Sequence, residues 1–249
     1  MDIKRFKVTI TYDGTNYNGW QRQNNGIGIQ EIIEKTLKKI TKQDIEIIGS
    51  GRTDKHVHAY GQVFHFDTTI DMDANNFLYA LNGLLPDDIY VKNIIEVDNN
   101  FHARFSAIKK TYIYKINIGE YDPLLYNYVY YQKNKLNINL MKKCSKIFIG
   151  EHDFSAFCSN SFDIHPDQTR EIYQINFILK DNILEIEYVG NGFLRYMVRM
   201  ISACLIQVGN NKLSIKEVKD ILETKDKESF KFNAIANGLY LKEVLYSND

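Results

Sequence analysis

The order of apolar periodicities along the chain constrains the fold more than any other feature of the sequence. Apolar residues alternate with polar ones from Phe6 to Tyr12, which predicts a half-buried strand, and they recur with helical spacing from Ile29 to Ile40. The next elements are two strands, a helix and a strand, predicted at about 45–49, 57–66, 73–84 and 89–97. This βαββαβ order is that of the ferredoxin-like split unit.

The second half of the chain repeats this plan. A strand from Tyr112 to Ile118 is followed by a helix, two alternating strands joined by a turn at 180–182, two further helices and a closing strand. These later elements are predicted at about 137–148, 175–179, 184–188, 193–208, 214–222 and 239–246. We therefore predict an α+β protein with mainly antiparallel sheets, whose two ferredoxin-like domains span residues 1–106 and 107–249.

Composition excludes several classes of protein. The segment before the first strand is charged and has no apolar stretch, so no secretory signal is expected. The longest apolar run, 193–208, is short and contains two arginines, so no membrane span is expected. The spacing of Cys144, Cys158 and Cys204 fits neither a zinc pattern nor a disulfide framework, which indicates a reducing cytoplasm. Basic and acidic residues number 31 each, so only local lysine clusters could form a basic surface.

A polar loop between two predicted strands carries the strongest candidate for chemistry. It places Asp54 among the basic side chains of Arg52, Lys55, His56 and His58. Neighbouring positive charge keeps a carboxylate ionised, which suits a nucleophile and does not suit a general acid. Taken alone, the same spacing also fits a turn with solvated charges.

Two arginines interrupt the longest apolar run. If residues 193–208 form one helix, Arg195 and Arg199 share a face about one turn apart. An arginine cannot lose its charge, so a buried one needs an anionic partner from elsewhere in the fold, or a phosphate. The alternative is that both side chains reach solvent along the apolar surface.

Aromatic residues alternate on a strand that is flanked by lysines. Tyr112 and Tyr114 lie on one face of this strand, shortly after the segment Phe101-His102-Ala103-Arg104. A nucleic-acid base stacked on such a ring gains about 1–3 kcal/mol whatever its sequence. The alternative is that both tyrosines belong to the core.

Taken together, these segments resemble the tRNA pseudouridine synthase A family. The resemblance covers nearly the whole chain and rests on several motifs that occur in the family's order. They are Tyr12–Gln23, Gly51–Asp54 with Val57–Ala59, Phe101–Arg104 with Tyr112–Tyr114, His152–Phe157, Gly192–Arg199 and Gly238–Leu241.

The resemblance implies roles for particular residues. Asp54 is implied as the nucleophile, Arg199 as the arginine that pairs with it, and Tyr112 as the ring that stacks on the target uracil. Tyr112 is also a candidate to relay the C5 proton. The further residues expected to bind substrate are Arg52, His58, Arg104 and Arg195.

The resemblance also implies an architecture and a reaction. Two ferredoxin-like halves would flank a central RNA-binding cleft, in a cytoplasmic homodimer without a metal, a cofactor or a membrane attachment. The reaction would convert uridine to pseudouridine in the anticodon stem-loop of tRNA, at positions 38–40.

A nucleotide-dependent enzyme is disfavoured, because Gly26-Ile27-Gly28 lacks the preceding strand and third glycine of a dinucleotide fingerprint.

The chain departs from the family pattern at three places. His56 replaces the usual glycine two residues after the nucleophile, Met200 replaces an asparagine, and residues 234–237 replace a more proline-rich segment. Glycine at position 56 would permit a positive φ, whereas histidine adds bulk and a titratable ring. An alternative therefore stays open, in which a catalytically weak paralogue binds or refolds tRNA or modifies another RNA.

Overall fold

The computed structural model describes residues 3–159 and 167–247, and it contains most of the strands and helices that the apolar periodicities predict, together with two short strands, Tyr130–Tyr131 and Gly150–Asp153, that they do not. The strands are β1 (Lys4–Tyr12), β2 (Ile48–Gly49), β3 (His58–Thr68), β4 (Ile89–Val97), β5 (Ala107–Asn117), β6 (Tyr130–Tyr131), β7 (Gly150–Asp153), β8 (Thr169–Lys180), β9 (Ile183–Gly190) and β10 (Leu239–Tyr246). The helices are α1 (Ile29–Thr41), α2 (Ala74–Asn82), α3 (Ile138–Ser145), α4 (Met197–Gly209) and α5 (Ile215–Thr224). The fold is mixed α+β with mainly antiparallel strand pairs, as predicted.

These elements group into two compact units. The first consists of the described residues up to Ile108 and those from Tyr240 onward, and the second is Lys109–Leu239. The predicted division into 1–106 and 107–249 differs from these units mainly in the last strand. That strand groups with the first unit because its beginning pairs in parallel with β3.

In the first unit the strand order is β4-β1-β3-β2, and neighbouring strands are antiparallel. β10 adds to β3 in parallel, with Tyr240 opposite His58. One face of the sheet is apolar. Phe6 is fully buried there, and the centre of its ring lies 5.4 Å from that of Phe66 and 5.0 Å from that of Phe77 on α2. Removing these rings from water stabilises the packing of α2 on the sheet.

In the second unit the order is β5-β9-β8-β7, again antiparallel, and β6 pairs in parallel with β5. β8 and β9 are joined through Asp181 and Asn182, whose φ angles of 49° and 62° suit a two-residue hairpin turn. α4 is buried along nearly its whole length, so its apolar sequence forms a core helix. Among the described residues, no helix is long and apolar enough to span a bilayer.

The helix predicted over 193–208 is wrong at its start. α4 begins at Met197, because Tyr196 has a left-handed backbone with a φ of 66°, which a right-handed helix cannot continue through. Arg195 therefore lies outside α4. The prediction that it shares a helix face with Arg199 is wrong.

The strand predicted over 45–49 is also shorter than expected. Only Ile48 and Gly49 pair with β3. The backbone N–H of Ile47 instead donates to the buried carboxylate of Glu34 on α1 (3.1 Å). The carboxylate of Glu34 thus accepts from a backbone N–H that would pair with β3 if β2 were longer.

Candidate active site

Asp54 begins a four-residue turn, 54–57, that leads into β3 and is called the Asp54 turn below. The backbone N–H of Val57 donates to the Asp54 carbonyl oxygen (3.1 Å) and closes the turn. His56 stands at the third position with a φ of 65°, a geometry that favours glycine or asparagine there. Asp54 is half-buried, so the residue is held by its surroundings while part of it stays accessible.

A second segment, residues 12–20, packs against the Asp54 turn and is called the supporting loop. The N–H of Trp20 donates to the Thr53 carbonyl oxygen (3.1 Å). A Cβ atom at Gly19 would lie 2.4 Å from that same oxygen, and one at Gly14 would lie 2.1 Å from the carbonyl oxygen of Val57. Glycines therefore let the two backbones meet at both ends of the turn.

Buried polar groups lie under the loop that contains the turn. The hydroxyls of Tyr12 and Thr53 share a hydrogen bond of 2.8 Å. The amide of Gln62 donates to the Gly51 carbonyl (3.0 Å) and accepts from the Ser50 hydroxyl (2.7 Å). Burial raises the pKa of Tyr12 far above its ordinary value, so its hydroxyl stays protonated and neutral. These paired groups make the base of the loop a fixed part of the fold.

His58 follows the turn and is only 2% exposed. Its Nδ1 lies 3.1 Å from the N–H of Gly14 and 3.1 Å from a carboxylate oxygen of Asp13. The backbone N–H of Gly14 is directed at this ring nitrogen, so the His58 ring is tied to the supporting loop. The ring also stacks on Tyr240, with centres 4.7 Å apart. This position suits holding the site together better than touching an RNA.

Arg52 and Arg104, both predicted to bind substrate, are exposed. Arg52 lies in the same loop as Asp54, whereas Arg104 lies in the loop that follows β4. The N–H of Ala103 anchors that second loop by donating to Nδ1 of His65 (3.1 Å). Burial lowers the pKa of His65 to about 4, so its ring is neutral and able to accept this bond.

A groove in the first unit has a basic lining and is called the lysine groove. Lys7, Lys92 and Lys242 line it together with Tyr60, and its volume is about 330 Å³. Lys7 is 8% exposed, and its Nζ lies 4.5 Å from the centre of the Tyr246 ring. Lys92 donates to the Tyr60 carbonyl (3.0 Å). Because Tyr60 belongs to β3, the groove lies along the strand that the Asp54 turn leads into.

The two tyrosines of β5 have different surroundings. Tyr112 is half-buried opposite Tyr188 on β9, and its ring meets that of Phe193 edge to face at 5.2 Å. Tyr114 is fully buried, and its hydroxyl donates to the carbonyl oxygen of Ile235 (3.0 Å). Tyr114 is therefore a core residue, and Tyr112 is the tyrosine of the pair that stays partly accessible.

Arg195 and Arg199 meet around one ring instead of along one helix face. Their guanidinium carbons lie 4.9 Å and 5.0 Å from the centre of the Tyr196 ring. The Nε of Arg199 donates to the Ala234 carbonyl (2.7 Å), which fixes its side chain, while Arg195 is exposed. Two cations on one aromatic ring form an arrangement that can bind or neutralise an anion.

Sequence reasoning assigned no role to Gly14, Gly19 or Tyr12, although all three lie in the first motif of the family resemblance. The available signal was a pair of glycines directly after a strand, which is typical of close backbone approach. Across residues 3–159 and 167–247, the structure gathers no group of three or more His, Cys, Asp or Glu side chains that could hold a metal ion.

Comparison with known proteins identifies the family. A family profile described as tRNA pseudouridine synthase matches residues 8–106 and 144–247. The chain is 42% identical over 247 residues to tRNA pseudouridine synthase A of Geobacillus sp. (strain WCH70), covering 98% of this chain and 99% of the relative. It is 43% identical over 246 residues to the protein of that name from Ruminiclostridium cellulolyticum, covering 98% and 100%. The Bacillus subtilis (strain 168) protein of that name is 42% identical over 247 residues, with 98% and 100% covered.

Among solved structures, a chain of the archaeal box H/ACA sRNP Nop10–Cbf5 complex matches 93% of this chain and 58% of its own length. Its TM-score is 0.34 and its identity 11%, a likeness too weak to bear on the fold. The family profile and the full-length relatives agree with each other and with the motif order. The chain therefore belongs to the tRNA pseudouridine synthase family.

Proposed function

We propose that this chain converts uridine to pseudouridine in tRNA and that Asp54 is the nucleophile. The observation that carries the proposal is the support of the Asp54 turn by close backbone contacts at Gly14 and Gly19 and by buried hydrogen bonds beneath it. A reacting group gains rate from being held in its attack position, so this support is what a nucleophilic carboxylate needs. The names of the full-length relatives supply the substrate and the reaction.

The reaction rearranges bonds within one nucleotide. The bond between N1 and C1′ breaks, the detached uracil turns, and a bond forms between C5 and C1′. C5 loses a proton and N1 gains one, so no redox change occurs and no group passes to a carrier. Ionised Asp54 would attack C1′ of the ribose or C6 of the uracil, or assist elimination at the sugar.

The target nucleotide must leave its stack before this chemistry. We propose that Tyr112 stacks on the extruded uracil and offsets part of the cost of unstacking. The exposed side chains of Arg52, Arg104 and Arg195 are proposed to bind the RNA backbone. His58 was expected to bind substrate as well, but its burial supports a role through Gly14, to which it is hydrogen bonded.

Arg199 is proposed to balance the charge of Asp54 during the reaction. A guanidinium is always charged, and this one is already oriented by Ala234 and the ring of Tyr196. Little ordering cost would therefore arise when substrate binds. Tyr112 is the proposed relay for the proton that leaves C5.

We further propose that each half of the chain forms a ferredoxin-like domain. The βαββαβ order and the β4-β1-β3-β2 sheet of the first unit support this proposal. Four further properties are proposed from the family resemblance alone. They are the anticodon arm as the target, a homodimeric state, a cytoplasmic location and independence of cofactors.

The variant Asp54→Asn tests the proposal, because it removes the charge and keeps the size of the side chain. Tritium release from C5-labelled uridine in tRNA should vanish, while tRNA affinity should stay within a few-fold. Asp44→Asn is the matched control, since Asp44 is an exposed aspartate paired with Lys38. Undiminished turnover in Asp54→Asn would rule out the nucleophile role. Tight tRNA binding by the unaltered protein without tritium release would favour the non-catalytic paralogue.

A further inference from the structure

We infer that His56 is a positioning residue for Asp54, tying the Asp54 turn to the supporting loop through its ring and its backbone. This inference rests on the proposed role of Asp54 as nucleophile. It concerns the one position in the turn where the backbone is left-handed and the residue is not glycine.

Both donors of His56 are directed at the supporting loop. The ring Nδ1 lies 2.8 Å from the carbonyl oxygen of Thr15, and the backbone N–H donates to the carbonyl oxygen of Tyr17 (3.4 Å). Because a carbonyl oxygen only accepts, the ring proton belongs on Nδ1. A single residue therefore bridges the turn to two positions of the loop.

The loop that receives these bonds is itself fixed. Thr15 donates to a carboxylate oxygen of Asp13 from its N–H (2.9 Å) and its hydroxyl (2.5 Å). The hydroxyl of Tyr17 donates to the carboxylate of Asp88, and the N–H of Asp13 donates to the Asp88 carbonyl (2.9 Å). The bridge from His56 thus ends on a segment held by the residue that precedes β4.

The backbone at position 56 carries strain that glycine would avoid. Glycine would relieve this strain but could not form the ring bridge, and it would make the turn more flexible. Alanine would keep the strain and lose the bridge. Asparagine tolerates a left-handed backbone and has an amide donor, although its side chain is shorter than imidazole.

The bridge should affect the chemical step more than binding. Asp54 is two residues from His56 within one closed turn, so loosening position 56 reduces the fraction of time that the carboxylate spends in its attack position. Binding of tRNA depends on contacts spread over a much larger surface and should change little. If His56 were needed only for general stability, its substitution would not lower the rate of the chemical step while leaving tRNA affinity unchanged.

The experiment compares His56→Ala, His56→Gly and His56→Asn with the unaltered protein on tRNA, at a temperature where thermal melts show all of them folded. The single-turnover rate of His56→Ala should fall by about 10-fold or more, with the dissociation constant within a few-fold. His56→Gly should lose less, and His56→Asn should keep the most activity. His152→Ala is the matched control, because its ring also contacts a main-chain carbonyl (Ile149, 3.0 Å) but lies in the second unit.

Amide hydrogen exchange of residues 53–57, measured on the same proteins without RNA, gives a readout that does not depend on activity. Exchange at Val57 should be faster in His56→Ala than in the unaltered protein. The inference would be overturned by any one of three results. They are an unchanged single-turnover rate in His56→Ala, a single-turnover rate in His56→Gly equal to or above that of the unaltered protein, and unchanged amide exchange at Val57 in His56→Ala. If the unaltered protein made no pseudouridine, the proposed function would fail, and the exchange experiment would still decide whether His56 holds the turn.

Discussion

The backbone of Gly19 lies against the carbonyl group of Thr53, so close that a Cβ atom on Gly19 would be 2.4 Å from the oxygen. Gly19 also has a φ of 87°, which side chains disfavour. A side chain at position 19 must therefore displace the Asp54 turn. We expect Gly19→Ala to lower kcat by about 100-fold with little change in tRNA affinity, measured by steady-state kinetics and filter binding.

Gly83→Ala is the matched control for this change. Gly83 caps the C-terminal end of α2 with an ordinary φ of −76°. A Cβ atom added to Gly83 would lie 3.3 Å from its nearest neighbour, the carbonyl oxygen of Tyr79. This variant should keep nearly full activity. Equal losses in the two variants would mean that the contact between Gly19 and Thr53 has no special part in catalysis.

A substitution of Arg199 tests its proposed role in balancing the charge of Asp54. Arg199→Leu should lower the single-turnover rate by roughly 100-fold or more, as when a charge-stabilising donor is removed from an active site. Arg199→Lys should recover only part of this loss, because lysine keeps the charge but not the planar fork that bonds Ala234 and stacks on Tyr196. A thermal melt showing that the leucine variant has collapsed would instead make Arg199 a structural residue.

The lysine groove predicts a salt-dependent contribution to binding. If Lys92 and Lys242 each pair with one phosphate of the RNA, Lys92→Gln and Lys242→Gln should each weaken tRNA binding a few-fold and lower the slope of log K against log salt by about 1. Lys219→Gln is the control, because Lys219 pairs with Glu223 on the surface of α5. Salt slopes that match those of the unaltered protein would exclude the groove from the RNA-binding surface.

His65 predicts how stability depends on pH. Its pKa is about 4 in the folded chain, below the ordinary value of 6.5, because burial and the nearby Arg5 and His102 disfavour its charge while Asp67 favours it. Between these two values the unfolded chain binds a proton that the folded chain does not. Stability is therefore complete above about pH 6.5 and falls as the pH drops toward 4, by no more than about 3 kcal/mol. Urea unfolding from pH 7 to 4 should show a smaller decline in His65→Gln, and parallel declines would contradict the assignment.

Local patterns predicted most of the fold. β4 lies at its predicted bounds, 89–97, and the hairpin turn at Asp181 and Asn182 lies where turn-forming residues separate two alternating strands. The misplaced boundaries depend on tertiary contacts. α4 starts late because Tyr196, whose ring contacts two guanidinium groups, has a left-handed backbone, and β2 is short because Glu34 accepts from the N–H of Ile47. The pattern of apolar residues around Tyr196 or around Ile47 does not predict those contacts.

The candidate site was predicted in part for a similar reason. Asp54 was selected by its basic neighbours together with the family resemblance, and its role as nucleophile stays a prediction. Gly14 and Gly19 reach it from a distant segment, so their function appears only once the chain is folded. Alternation could not separate Tyr112 from Tyr114, because they share a strand face and differ only in what covers them.

The first unit is completed by β10, in which Tyr240 lies opposite His58 and the hydroxyl of Tyr246 donates to the Ala103 carbonyl (2.8 Å). On the ribosome, N-terminal domains generally fold before later segments are made. Here the sheet beside the Asp54 turn lacks a strand until the residues from Tyr240 onward have been made. A nascent chain that stalls before Tyr240 therefore leaves His58 without its stacking partner and the first unit incomplete.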